Sequence, residues 1–450
     1  MPQVIATPQM AEVVAKVRSY PPEKQSWAQK IARDWAIKEG RLAEWESHFQ
    51  PTTDIISHLL EGVAFYSKAH GFELIPVSGF LGPRVIVLRF KPGNETRVGT
   101  IANRFDDIIA RFPALTADPP PIVRVVEGGV EVLSVRKDGE ICDLAQYVKP
   151  KKDWKPWHKF TLPVGVSVEG QLIEPVIVHM QLAGTPGSGK TVELNALLGG
   201  SAIQYKSQHV KWLLIDPERV GLRPFNGLAR FWAGVDGKLP RKAIVDIAQS
   251  VAAIAQVLDE HERRLNMLES SDVADIERYN FKNQSAPLPH LMVVIDEYAV
   301  LLASAGKALA TEPEEGQKPL SEKAISDNGK AIVNGLMIEI GQRCRKTGIH
   351  LIIASQRADA DTFNVNLRDN LATKIVLRCV SKGGSQVAFG YDCAWALQLA
   401  GNGDMWVVGH GAPQRAQGLY IDDETPLKDG RTRLERLLAA VKAAEEAEGA

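Results

Sequence analysis

Cysteine is scarce in this 450-residue sequence: Cys142, Cys344, Cys379 and Cys393 are scattered, with no CxxC pair and no nearby histidine cluster. That excludes a disulfide framework and a structural zinc site, and it fits a reducing compartment. Long apolar runs are also missing, since none approaches the roughly 20 residues needed to span a bilayer. The N-terminus, "MPQVIATPQMAEVV", has no basic flank followed by a sustained apolar stretch, so it does not read as a signal peptide. A cytoplasmic protein with no stable membrane insertion is expected. Neither sign of charge dominates: 53 basic residues stand against 54 acidic ones, for a net charge of -1. A nucleic-acid coat would be strongly basic, so any DNA contact must come from a local basic lining. No internal repeat is visible. The 45% hydrophobic and 24% charged content is that of an ordinary folded chain, long enough for two or three units.

Four segments can be drawn. Residues 1–53 form an N-terminal helical segment in which Trp27, Ile31, Trp35, Leu42 and Trp45 recur near helical spacing, as on a packing face. Residues 54–150 open with a helix, "DIISHLLEGVAFYSKAHG", and continue as short strands around one amphipathic helix, "IANRFDDIIARF", giving a small α/β subdomain. It runs into "VKPKKDWKPWHK", which reads as a hinge. Residues 151–425 alternate strands and helices, the pattern of an α/β domain with a mostly parallel sheet. Its strands are "VIVHMQLA", "KWLLIDP", "LMVVID", "HLIIAS", "KIVLRCV" and "GDMWVVG". A long helix, "AIVDIAQSVAAIAQVLDEHERRLNMLE", separates the second from the third. The polar stretch "SAGKALATEPEEGQKPLSEKAISDNGK" reads as a mobile insertion, and residues 426–450 as a solvated terminal helix.

The chemistry is concentrated at three strand ends. Gly184-Thr185-Pro186-Gly187-Ser188-Gly189-Lys190-Thr191 satisfies GxxxxGK[ST] between an apolar strand and a helix. Glycines let the backbone wrap a phosphate chain, and the helix N-terminus adds partial positive charge. Lys190 is placed to reach the β- and γ-phosphates of ATP, and the Thr191 hydroxyl to ligate Mg²⁺. "LMVVIDEYA" delivers Asp296, suited to the Mg²⁺ shell, and Glu297, suited to polarise a water. "GIHLIIASQR" delivers Ser355, Gln356 and Arg357, with Gln356 able to sense a γ-phosphate or orient water. Upstream, "GQRCRKTG" puts Arg343, Arg345 and Lys346 in the last turns of a helix, where cations also complement the helix dipole.

In order and wording these motifs resemble the FtsK/SpoIIIE family of DNA translocases, over roughly residues 54 to 423. "HMQLAGTPGSGKT", "LLIDPERV", "LPHLMVVIDEYAVLL", "RCRKTGIHLIIASQR" and "GNGDMWVV" carry the resemblance. It implies a RecA-like P-loop NTPase motor, assembled as a homo-oligomeric, hexameric ring around double-stranded DNA and using ATP with Mg²⁺. By position it gives Lys190 and Thr191 the P-loop roles, Asp296 the metal, Glu297 the catalytic base and Gln356 the sensor. It makes Arg345 the candidate finger acting on the neighbouring subunit, with Arg343, Arg357 and Arg378 next in line. Glu218 departs from the family by standing where a lysine is usual after "DP", and Gln386 stands where an arginine is usual. Without an N-terminal membrane region or a C-terminal winged helix, a compact relative from a plasmid, integrative element or phage is expected. The alternatives are a protein-export ATPase of the type VII kind and a nucleotide-gated assembly module with little turnover.

Overall fold

The computed structural model describes residues 51–94, 101, 108, 121–126, 129–136, 139–310, 321–409 and 411–449. The tryptophan-bearing helix expected before residue 51 lies outside them. So does most of the helix expected over 101–112, of which only Ile101 and Ile108 are described, both helical and buried. The chain divides into two compact units, Met1–Gly139 and Glu140–Ala450.

In the first unit, helix α1 (Pro51–Ala69) buries Ile56, Leu59 and Val63, three residues at helical spacing on one face. They join Phe72, Leu88 and Val132 in a core under a four-stranded antiparallel sheet. Its strands are β1 (Leu74–Leu81), β2 (Val85–Pro92), β3 (Ile122–Val126) and β4 (Gly129–Val135), in the order β1-β2-β4-β3. Buried Glu131 on β4 lies opposite Arg89 and Arg124 on the flanking strands and accepts from their Nε atoms at 2.8 and 2.6 Å.

The second unit holds a nine-stranded sheet in the order β6-β5-β13-β12-β11-β7-β10-β9-β8. Five adjacent strands are parallel: β11 (Thr373–Val376), β7 (Met180–Ala183), β10 (Ile349–Ser355), β9 (His290–Ile295) and β8 (Val210–Ile215). Beyond β11, strands β12 (Asp404–Val408), β13 (Gln414–Gln417), β5 (Gly165–Ser167) and β6 (Leu172–Ile173) pair antiparallel. All six strands expected from apolar runs are present. The central ones are buried at every position, which is why they read as continuous apolar runs rather than alternations. Residues 140–150 pack with this unit: Asp143 caps a short helix, α2 (Leu144–Tyr147), and Leu144 enters the main core.

Around the sheet run α3 (Lys190–Gln204), α4 (Ile247–Ser270), α5 (Ile276–Lys282), α6 (Tyr298–Leu309), α7 (Glu322–Arg343), α8 (Val365–Asn370), α9 (Lys382–Phe389) and α10 (Arg433–Gly449). The long helix α4 starts later than its apolar pattern does, because the Asp246 carboxylate caps it by accepting from Gln249 N–H at 2.8 Å.

Two expectations are corrected. The stretch taken as an insertion is helical on both sides of residues 311–320, which lie outside the described residues. Helices α6 and α7 cross there at Gly306 and Gly329, where a Cβ on Gly329 would come within 2.0 Å of Gly306 N. Backbones meet directly, so the contact selects glycine and leaves no apolar pattern to read. The terminal helix α10 is docked rather than solvated: Leu434, Leu438 and Val441 are buried, and Glu445 accepts from Arg230 Nε and Ala229 N–H, each at 2.6 Å.

At the amino ends of the central strands three buried histidines stand side by side. His290 Nδ1 and His350 Nε2 are 2.9 Å apart, His350 Nδ1 lies 3.1 Å from Val178 O, and His179 Nδ1 accepts from Leu351 N–H at 3.0 Å. Burial pushes His179 down to about 3, helped by His350 and Arg345. It also pushes His350 down to about 4, against the Val178 carbonyl, and holds His290 well below the usual range, helped by His350. These rings stay neutral in the fold while their unfolded counterparts protonate below about 6.5. Their contribution is therefore complete above that pH and is lost as pH falls toward 4. Melting temperature should drop steeply between about pH 7 and 5, before most carboxylates titrate. A flat profile over that interval would contradict this account.

Candidate nucleotide site

The site lies where β7, β9 and β10 end. The loop after β7 is held on both sides: Gly184 N–H donates to Ser355 O at 3.3 Å, and Thr185 N–H and Oγ1 both donate to Arg378 O at 2.9 Å. From behind, Gly403 N–H in the "GNGD" turn donates to Ser188 O at 2.9 Å. Gly189 sits at φ 103°, and a Cβ there would come within 2.7 Å of Gly403 N, so both conformation and space require glycine. Helix α3 begins at Lys190, and the N–H groups of its first turn have no intrahelical acceptor. Loop and helix start together make the anion cradle the motif anticipates.

Lys190 is buried, and its Nζ donates to Asp296 O at 2.7 Å and Asp296 Oδ1 at 2.8 Å, with Glu297 Oε2 at 3.4 Å. Residues more than a hundred positions apart meet because β7 and β9 flank β10 and all three point the same way. Gly221 lies beneath: a Cβ on it would fall 2.3 Å from Asp296 Oδ2 and 3.7 Å from Thr191 Cγ2, which puts Thr191 and Asp296 side by side.

Carboxylates outnumber cations here. Burial pushes Asp296 up; Lys190 opposes this, while Asp216 and Glu297 add to it. Burial and then Glu297 push Glu218 up, and this residue adds to the negative charge of the site. Such an excess suits a divalent cation. Among the described residues no group of three or more His, Cys, Asp or Glu is arranged to hold a metal alone. That fits Mg²⁺, which takes one or two protein ligands and draws the rest from phosphates and water. Thr191 and Asp296 are the candidates to hold such an ion.

Glu297 is held firmly. Ser355 Oγ donates to its Oε1 at 2.6 Å, and Gln356 N–H donates to Oε2 at 2.8 Å. Gln356 thus reaches the site through its backbone, with its side chain half-buried. Arg345 is not brought in. It is exposed in a 3₁₀ turn (Cys344–Thr347) before β10, and the length of that strand puts it about 20 Å from the phosphate loop of its own chain. Arg343, beside it, pairs with Glu339 and Glu262. Arg378, named only as a reserve, has its backbone against Thr185 and its side chain exposed. Sequence reasoning gave Ser355 no role, because its partner lies 58 positions away.

A cavity of about 730 Å³ opens near the amino ends of β8 and β9, between the 150–157 segment and α10. It is lined by Trp154, Trp157, Tyr205 and Glu445 among others and by none of the motif residues.

Among the described residues no helix is long and apolar enough to cross a membrane. Residues 143–359 match the FtsK/SpoIIIE family. A DNA translocase FtsK of Chlorobaculum tepidum is 29% identical over 389 residues, covering 84% of this chain and 44% of that protein. A DNA translocase SftA of Bacillus subtilis is 29% identical over 358 residues, covering 76% and 33%. The chain thus spans less than half the length of these relatives. Among solved structures, the pCW3 conjugation coupling protein TcpA, in its monomer form with ATPγS, aligns with a TM-score of 0.51. Its identity is 18%, over 85% of this chain and 99% of that one, a likeness of fold.

Proposed function

We propose that this chain, whose residues 143–359 form an FtsK/SpoIIIE family domain, is an ATP-hydrolysing motor that moves double-stranded DNA. The observation that carries this reading is the buried contact of Lys190 with Asp296, beside Glu297, at the carboxyl ends of adjacent parallel strands. Lys190 and the N–H groups of residues 184–191 hold the phosphates of ATP. Thr191 and Asp296 hold Mg²⁺, which supplies charge neutralisation on the β- and γ-phosphates when bound. Glu297 takes a proton from the attacking water, and Gln356 senses the γ-phosphate. The motor works in the cytoplasm as a ring, hexameric by family analogy, gripping the duplex through its phosphates so that sequence does not matter. DNA transfer by a plasmid, integrative element or phage is its proposed setting.

Arg345 is proposed to act in trans. Its place before β10, at the end of the strand opposite its own phosphate loop, supports a guanidinium that reaches the neighbouring subunit. The test is ATP turnover of wild type and Arg345→Ala, each with and without duplex DNA. Duplex should stimulate the wild type several-fold, while the variant binds ATP normally and stays near the unstimulated rate. Turnover indifferent to duplex would favour the protein-export reading. Normal stimulation in Arg345→Ala would move the finger to Arg343, Arg357 or Arg378.

A further inference from the structure

We infer that Ser355 is a positioning residue that restrains Glu297, keeping ATP turnover low until the turn after β10 moves. The inference rests on the proposed role of Glu297 as the base. Each oxygen of that carboxylate already accepts a hydrogen bond that fixes its orientation: Oε1 from Ser355 Oγ at 2.6 Å, and Oε2 from Gln356 N–H at 2.8 Å, with Lys190 Nζ at 3.4 Å. Glu297 and Ser355 are both buried, so these donors are not competing with bulk solvent. A base that polarises water needs a lone pair turned toward that water. Here the carboxylate is turned toward the end of β10 instead.

The three donors are not equivalent. Lys190 has a stronger partner in a phosphate chain and is drawn off when one binds. The Gln356 N–H is backbone and moves only with the chain. The Ser355 hydroxyl is the one side-chain contact whose sole partners are Glu297 and the turn itself. Its Oγ donates to Glu297 and accepts from Arg357 N–H at 3.1 Å, so it relays between the carboxylate and the turn. When the turn moves, the hydroxyl loses its donor, rotates to another staggered position and releases Oε1. Arg357 is exposed on that turn and gives a DNA phosphate a handle on it. Stimulation by duplex is, on this account, release of Glu297 from Ser355.

The experiment compares Ser355→Ala, Ser355→Cys and Ser355→Thr with wild type, with and without duplex DNA. Cysteine fills the space that alanine would leave empty, being somewhat larger than serine, but donates weakly, which guards against a cavity defect in the alanine variant. Alanine and cysteine should raise the DNA-free rate about five- to tenfold, the worth of one hydrogen bond, with the KM for ATP unchanged. Their duplex-stimulated rate should stay near wild type, so the stimulation ratio collapses. Threonine, which keeps the hydroxyl, should restore the wild-type ratio. Equal loss of rate with and without duplex would mean the hydroxyl orients the base instead of restraining it, and unchanged rates would mean the contact is idle; either overturns the inference. Glu297→Gln run in parallel separates the two levels. If it hydrolyses ATP normally, the base assignment falls. If it is inactive while the serine variants match wild type, only the restraint falls.

Discussion

Lys190→Ala is expected to lower ATP turnover by at least about a thousandfold, because a preorganised charge on the transferring phosphoryl group is lost. Nucleotide affinity should fall with it. The geometry adds a second consequence that the motif does not carry. Lys190 is buried against Asp296 and Glu297, and removing it leaves two buried carboxylates facing each other, with Asp216 and Glu218 nearby. Breaking a buried pair in this way costs about 3–5 kcal/mol. The variant should therefore melt well below wild type, and added Mg²⁺ should recover part of the loss by supplying a replacement cation. Turnover within a few-fold of wild type would remove the P-loop assignment. Lost turnover with an unchanged melting temperature would show that the buried contact is not maintained in solution.

Glu297→Gln is expected to bind ATP and Mg²⁺ while turnover falls about a thousandfold, since the amide cannot take a proton from water. Its effect on stability should be small, because two changes oppose each other. One carboxylate charge leaves a crowded acidic site, which relieves repulsion. Against that, an amide offers one acceptor oxygen where the carboxylate offers two, so the Ser355 hydroxyl must turn from donor to acceptor to keep its contact while Gln356 N–H donates to the amide oxygen. The measurements are bound nucleotide after gel filtration and the single-turnover rate. A variant that releases ATP would make Glu297 a structural group.

Much of the fold was legible because its signals are local. Each buried parallel strand is a short apolar run, the phosphate loop is a contiguous motif, and helix α4 shows as a long apolar periodicity, though that pattern begins before the Asp246 cap. What was misread depends on partners far away in the chain. The stretch around Gly306 and Gly329 looks polar and aperiodic because two backbones touch there, and that contact leaves only glycines in the sequence. Helix α10 looks solvated until Arg230 arrives at Glu445, from 215 positions upstream.

The same division applies to the site. Sequence alone determined which residues are the candidates for the chemistry: Lys190 and Thr191 close a contiguous glycine-rich motif, and Asp296, Glu297 and Gln356 each sit where an apolar strand gives way to a polar end. Tertiary structure alone decided how they are held. Strand order sets β10 between β7 and β9, and so brings Ser355 to Glu297, Lys190 to Asp296, and Arg378 O to Thr185. Strand length sets Arg345 at the far end of β10, away from the loop at residues 184–191. Strand order and direction arise from pairings between residues far apart in the chain, and no local pattern encodes them.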